Sequence, residues 1–184
     1  MESLEEIISG CIAGKRVAQN TFYKMFAPKM YSVCLRYAKD STEAEDILQD
    51  GFIKVFQHMG AFKHEGSFEG WVRRIMINTA LERFRKKNPL LPVGDIYPVA
   101  KDLKYDDIES NISADELLGL VQKLPPGYRT VFNLYAIEGY SHQEIGEMLN
   151  ISEGTSKSQL ARARAVLQEE VTKLYKPVQK KIVS

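Results

Sequence analysis

The chain has 184 residues, 25 Lys and Arg against 24 Asp and Glu, and a formal net charge of +1. That length suits one domain or two small ones, and 44% hydrophobic with 27% charged residues excludes both a disordered polymer and a membrane protein. No apolar run approaches the ~20 residues of a membrane-spanning helix, and residues 1–8 carry three glutamates and no basic side chain, which argues against a secretory signal. The expectation is a soluble, cytoplasmic, helical protein with no direct membrane insertion.

Helical periodicity dominates from Ile7 to Lys87. Cys11 and Cys34 are too few for a disulfide framework and are not spaced as a metal knuckle; their apolar neighbours predict buried free thiols. Phe22, Phe26, Met30, Val33, Cys34 and Tyr37 recur at spacings of three and four, an amphipathic stripe, which Pro28 should kink or restart. Thr42 and Glu45 have the spacing of a capping box ahead of an apolar run. The helix they would open places Leu48, Phe52, Val55, Phe56 and Met59 on one face. Its other face carries Asp46, Gln49, Asp50 and Ile53, with no use in the domain's own core. A turn-like stretch over residues 60–66 precedes a second long helix, from Ser67 to about Lys87, whose apolar stripe includes Phe68, Val72, Ile75, Thr79 and Leu81. Asn88-Pro89 ends it, because the residue before proline is pushed out of the helical region.

Residues 89–113 contain three prolines and five acids against two lysines, with no sustained period. A structureless stretch this long makes sense between domains rather than inside one. Helical patterning returns at Ala114, with Leu124-Pro125-Pro126-Gly127 as a turn. The fold class expected is therefore all-α: two small helical domains, 1–88 and 114–184, joined by a flexible acidic linker at 89–113.

The near-zero net charge hides a local concentration. Residues 71–87 hold six basic side chains (Arg73, Arg74, Arg83, Arg85, Lys86, Lys87) and one acid, Glu82, and phosphate affinity follows clustering rather than the total. Residues 141–164 read SHQEIGEMLNISEGTSKSQLARAR. Ile145, Leu149, Ile151 and Leu160 fall where a helix-turn-helix packs its two helices, and Gly146 lets them approach. Asn150 suits a left-handed turn residue, and Ser152 reads as the cap of the second helix. Such a unit projects its second helix into the DNA major groove. There Thr155, Lys157, Ser158, Ala161, Arg162 and Arg164 would face away from the core, able to bond base edges or phosphates. Ser156 disagrees with the pattern: its slot is usually apolar, and burial would require its hydroxyl to bond to the preceding turn.

Three stretches together resemble the extracytoplasmic-function (ECF) sigma factors of bacterial RNA polymerase. DILQDGFIKVFQHMGAF (46–62) resembles the family's polymerase-binding helix, GSFEGWVRRIMINTALERFRKK (66–87) its minus-ten helix, and LPPGYRTVFNLYAIEGYSHQEIGEMLNISEGTSKSQLARARAVL (124–167) its minus-thirty-five domain. The resemblance implies that Asp46, Gln49, Asp50 and Ile53 bind the β′ coiled coil of core polymerase. It implies a minus-ten site drawn from the loop 58–68 and the helix after it: His64, Ser67, Phe68, Trp71, Arg74 and Asn78 toward bases, Arg83, Arg85, Lys86 and Lys87 toward phosphates. Trp71 also has the spacing of a core residue.

The resemblance further implies that the helices around Tyr128 to Tyr135 meet the β flap, and that Lys157, Ser158, Ala161 and Arg162 read the minus-thirty-five element. The implied partners are core RNA polymerase, promoter DNA and an anti-sigma factor. No cofactor, metal site or catalytic residue is expected, since His58, His64 and His142 have no companion ligands in sequence. A conventional operator-binding regulator remains an alternative, although it has no need of the basic-aromatic helix at 66–87. A small helical enzyme lacks a nucleophile, a metal spacing or paired carboxylates.

Overall fold

The computed structural model describes residues 3–63, 65–88 and 113–175; all regular structure among them is helical. The chain divides into two compact units, Met1–Leu90 and Leu91–Ser184. The linker expected at 89–113 lies outside the described residues except for Ser113, and His64 lies outside them too.

The first unit contains α1 (Leu4–Ile12), α2 (Arg16–Tyr37), α3 (Ser41–His58), a 3-10 turn (Met59–Ala61) and α4 (Phe68–Lys87). α2, α3 and α4 pack pairwise, and α1 lies against α2. Every member of the predicted α2 stripe, from Phe22 to Tyr37, is buried. Phe22 is its centre, fully enclosed and in ring contact with Phe26, Phe52, Phe56 and Phe68. Pro28 does not restart the helix: α2 runs through it as one element. The proline is exposed while Phe26 and Met30 on either side are buried, so packing of the opposite face holds together what the missing N–H would weaken.

The start of α3 corrects the capping expectation. Its cap is Asp40, whose carboxylate accepts from the Glu43 amide at 2.8 Å, not Thr42. α4 begins at the expected place, with the Ser67 hydroxyl accepting from the Gly70 amide. α3 and α4 approach closely at Gly51, where an added Cβ would stand 2.2 Å from the Met76 sulfur. Both cysteines are buried free thiols.

The second unit contains α5 (Ala114–Lys123), α6 (Pro126–Phe132), a π-turn (Asn133–Ile137), α7 (His142–Leu149) and α8 (Glu153–Tyr175). Ser113, expected within the linker, caps α5 in a capping box with Glu116. Pro126 opens α6 at its first position, where the missing N–H costs nothing. Leu120, Val121, Leu124, Ala163 and Leu167 form one buried cluster, with Tyr128 and Phe132 packed on it. Val131, Leu134, Ile145, Leu149 and Leu160 are buried as well.

Candidate nucleic-acid interface

The helix-turn-helix is built as its sequence predicts. Ser141 caps α7 in a capping box with Glu144, and the hydrogen bonds from the Ser141 amide and hydroxyl hold the Glu144 carboxyl below its ordinary range. Asn150 ends α7 in the left-handed region (φ 56°, ψ 47°), a conformation that glycine or asparagine tolerates and most side chains resist. Gly146 is required by proximity: a Cβ there would stand 2.8 Å from the Ile151 carbonyl oxygen. Ser152 then caps α8, its hydroxyl accepting from the Thr155 amide at 3.0 Å.

Along α8 the buried residues are Ser156, Leu160, Ala163 and Leu167. At 3.6 residues per turn that ridge places Ser158, Ala161 and Arg162 opposite the core, Lys157 and Arg164 on one flank and Thr155 on the other. Lys157 and Arg164 are exposed; the other four are half-buried. Lys157 pairs with Glu153 one turn back at 2.6 Å. The Thr155 hydroxyl lies 2.8 Å from that of Ser152, and the Ser158 hydroxyl donates to the Thr155 carbonyl. The serine and threonine hydroxyls are thus engaged in the first turn of α8, and cations carry its outward charge.

Ser156 is buried, but its hydroxyl does not bond to the preceding turn. It lies 2.9 Å from Nδ1 of His142, the first residue of α7. The His142 ring stacks on Tyr135 of the π-turn, centroids 4.4 Å apart and planes 18° from parallel, and Arg164 sits over the same Tyr135 ring at 5.7 Å. Partial burial pushes the His142 pKa down from its ordinary value; Lys157 and Arg164 act the same way, and Glu153 opposes them. Sequence reasoning left His142 without a partner because Ser156 is fourteen residues away; the one signal was a polar residue in an apolar slot.

In the first unit, α4 sorts its basic residues by direction. Trp71, Arg74, Asn78 and Arg85 share one stripe opposite the buried ridge of Val72, Met76 and Thr79. Arg74, Asn78, Arg85 and Lys86 are exposed. Arg83 turns instead toward α3, where Nε and Nη2 donate to Asp50 at 2.9 and 2.6 Å and Nη1 donates to Asp46 at 3.2 Å. Lys87 pairs with Glu43, and Lys54 with Glu82 at 2.6 Å. Asp46 and Asp50 therefore serve their own domain by joining α3 to α4, which corrects the expectation that this face had no internal use. Gln49 and Ile53 lie on the same face of α3 and are exposed, and Ile53, 55% exposed, is a large apolar side chain in water.

At the start of α4, Phe68 is buried against Phe22, Phe26 and Phe62, so it is core rather than an open face for a base. Ser67 is exposed, its hydroxyl used as the helix cap. Trp71 is half-buried and extends the cluster to the surface, 5.4 Å from Phe68 and 5.6 Å from Phe62 between ring centroids. Trp71 is thus packed on one side and accessible on the other.

Two family models match the chain: Sigma-70 region 2 over residues 22–89, spanning most of α2 and all of α3 and α4, and Sigma-70 region 4 over residues 114–167, spanning α5 to α7 and most of α8. The ECF RNA polymerase sigma factor SigW of Bacillus subtilis (strain 168) is 34% identical over 82% of this chain and 87% of its own. The ECF RNA polymerase sigma factor SigM of Mycobacterium tuberculosis (strain ATCC 25618 / H37Rv) is 30% identical over 88% of this chain and 81% of its own. Among solved structures, the sigma factor RpoE of Bartonella quintana, in complex with the anti-sigma factor NepR, shares the fold at a TM-score of 0.50 and 20% identity, over 85% of this chain and 97% of that one. A free operator-binding regulator would not carry the region 2 module, and that alternative falls away. With both modules in order and relatives aligned along most of its length, the chain belongs to the ECF sigma factors, the RNA polymerase subunits that direct transcription initiation.

Proposed function

We propose that residues 1–88 bind core polymerase and the minus-ten element, that 114–184 bind the minus-thirty-five element, and that 89–113 tether the two. The observation that carries the reading is the outward face of α8, where Ser158, Ala161 and Arg162 stand opposite a buried ridge behind a correctly built turn. On the polymerase side, Ile53 and Gln49 supply the apolar and polar centre of the contact, and Asp46 and Asp50 an acidic rim suited to a basic coiled coil. On the promoter side, Trp71 offers an unstacked base a ring, and Arg74, Asn78, Arg85 and Lys86 line the backbone path; opening a step costs a few kcal/mol that stacking and charge contacts offset.

The mechanism is bipartite. Each DNA module binds weakly, and polymerase raises their joint affinity by fixing both on one template. The chain performs no catalysis of its own; it acts in the cytoplasm beside the polymerase, and an anti-sigma factor holds it inactive by covering these faces.

The test mixes the purified protein with bacterial core polymerase and fragmented genomic DNA and maps transcript 5′ ends. Discrete starts absent with core alone support the reading; none, from polymerase active with another sigma subunit, overturns it. Ile53→Ser should weaken core binding about tenfold or more, as loss of an apolar anchor does, and adds no charge beside the Arg83 junction. Arg162→Ala should spare core binding and lower use of promoters with a good minus-thirty-five element by about tenfold.

A further inference from the structure

We propose that His142 is a positioning residue for the promoter-reading helix: its ring, stacked on Tyr135 and bonded to the buried Ser156 hydroxyl, sets how α8 seats on α7. The proposal rests on the reading of α8 as the minus-thirty-five helix. Ser156 is the first residue of the α8 buried ridge and is fully enclosed, so its hydroxyl needs a partner inside the protein. The 2.9 Å contact to His142 Nδ1 supplies it, and ties the first residue of the supporting helix to the first turn of the reading helix.

The ring is held from its other side. The π-turn Asn133–Ile137 presents Tyr135, which lies parallel to His142, and Arg164 caps the same tyrosine from two turns further along α8. α8 is thereby gripped at two points, Ser156 and Arg164, by one stack of rings. An apolar residue in the 156 slot would need no such partner; the polar pair makes the seating of α8 specific in direction as well as depth.

The groups that face the imidazole are Lys157, Arg164 and Glu153 of α8 and the Tyr135 phenol of the π-turn. With two cations against one carboxylate, the neutral ring is the form that fits. A histidine whose folded pKa lies below its ordinary 6.5 contributes stability that is present above 6.5 and is lost as pH falls toward the folded value. The seat of α8 should therefore loosen in mild acid.

The experiment uses the full chain with core polymerase on promoter pairs that differ only in an intact or scrambled minus-thirty-five element. His142→Phe and Ser156→Val should each cut the advantage of the intact element about fivefold, the worth of one hydrogen bond or the cost of orphaning its partner. The pair His142→Phe with Ser156→Val keeps the ring stack, removes both polar groups together, and should recover to within about twofold of the native chain. It should also abolish the fall in that advantage between pH 7.5 and 5.5. Single losses that simply multiply in the pair, or an unchanged pH profile, overturn the proposal.

A second measurement stands apart from transcription. In the free native chain, the amide resonances of Ser156 and Lys157 should move with the His142 ring as it titrates below 6.5. Titration without that response overturns the seating role whatever the polymerase assay returns, and absent transcription with the response intact overturns the functional reading alone.

Discussion

Single side chains here are governed by what burial does to them. Cys34 is 1% exposed, and burial pushes its thiol up to about 12, so almost no thiolate forms at neutral pH and the group should be inert. In the native chain at pH 8, iodoacetamide should leave Cys34 unmodified by mass spectrometry while denatured protein alkylates fully; rapid native modification would contradict the packing. Asn150 illustrates the reverse case, a conformation set by one residue's tolerance. Asn150→Ala should cost the second unit about 1 kcal/mol and Asn150→Gly close to nothing, as read from urea midpoints. The turn was legible because asparagine after an apolar helix is a local signal. The His142–Ser156 bond was not, because its partners meet only once two helices have packed.

Among the elements, caps and stops were the most legible features. The Ser67 and Asn88-Pro89 bounds of α4 were read from signals in the chain's immediate neighbourhood; the serine–glutamate pairs at Ser113 and Ser141 are as local but went unread, and Ser113 was assigned to the linker. The α3 cap was misplaced by two residues because Asp40 and Thr42 both precede acidic residues at the right spacing, and only the folded backbone chooses between them. The destination of the Arg83 charge was illegible for a further reason: Asp46 and Asp50 lie more than thirty positions away, and only the packing of α3 against α4 brings them within reach. Capping carries a pH consequence. Glu116 and Glu144 are held below their usual 4.5 by hydrogen bonds from Ser113 and Ser141, so their contribution is present above 4.5 and is lost as pH falls through the lower folded value. Glu144→Gln should flatten the acid side of the stability profile of the second unit, followed by urea denaturation at pH 7 and pH 4. An identical slope in both proteins would remove the cap from the account.

At the scale of the whole molecule, each unit has its own hydrophobic centre, Phe22 in one and Leu134 with Ile145 in the other, all fully enclosed. A cavity made in one centre should be felt there first. Phe22→Ala should lower the stability of the first unit by about 3–5 kcal/mol and Leu134→Ala that of the second by about 2–5, read as separate losses of amide protection in hydrogen exchange. A single shared loss would mean that the units unfold together. The division into two helical units was legible from the proline-rich acidic break; the traffic of charge within the first unit was not. That traffic has a consequence for genetics. Arg83 and Lys87 of α4 pair with Asp46, Asp50 and Glu43 of α3, so on the proposal that α3 docks on core polymerase, a screen for strains deficient in holoenzyme assembly should also recover lesions in α4, and second-site suppressors of α3 acid mutants should cluster at positions 83 and 87.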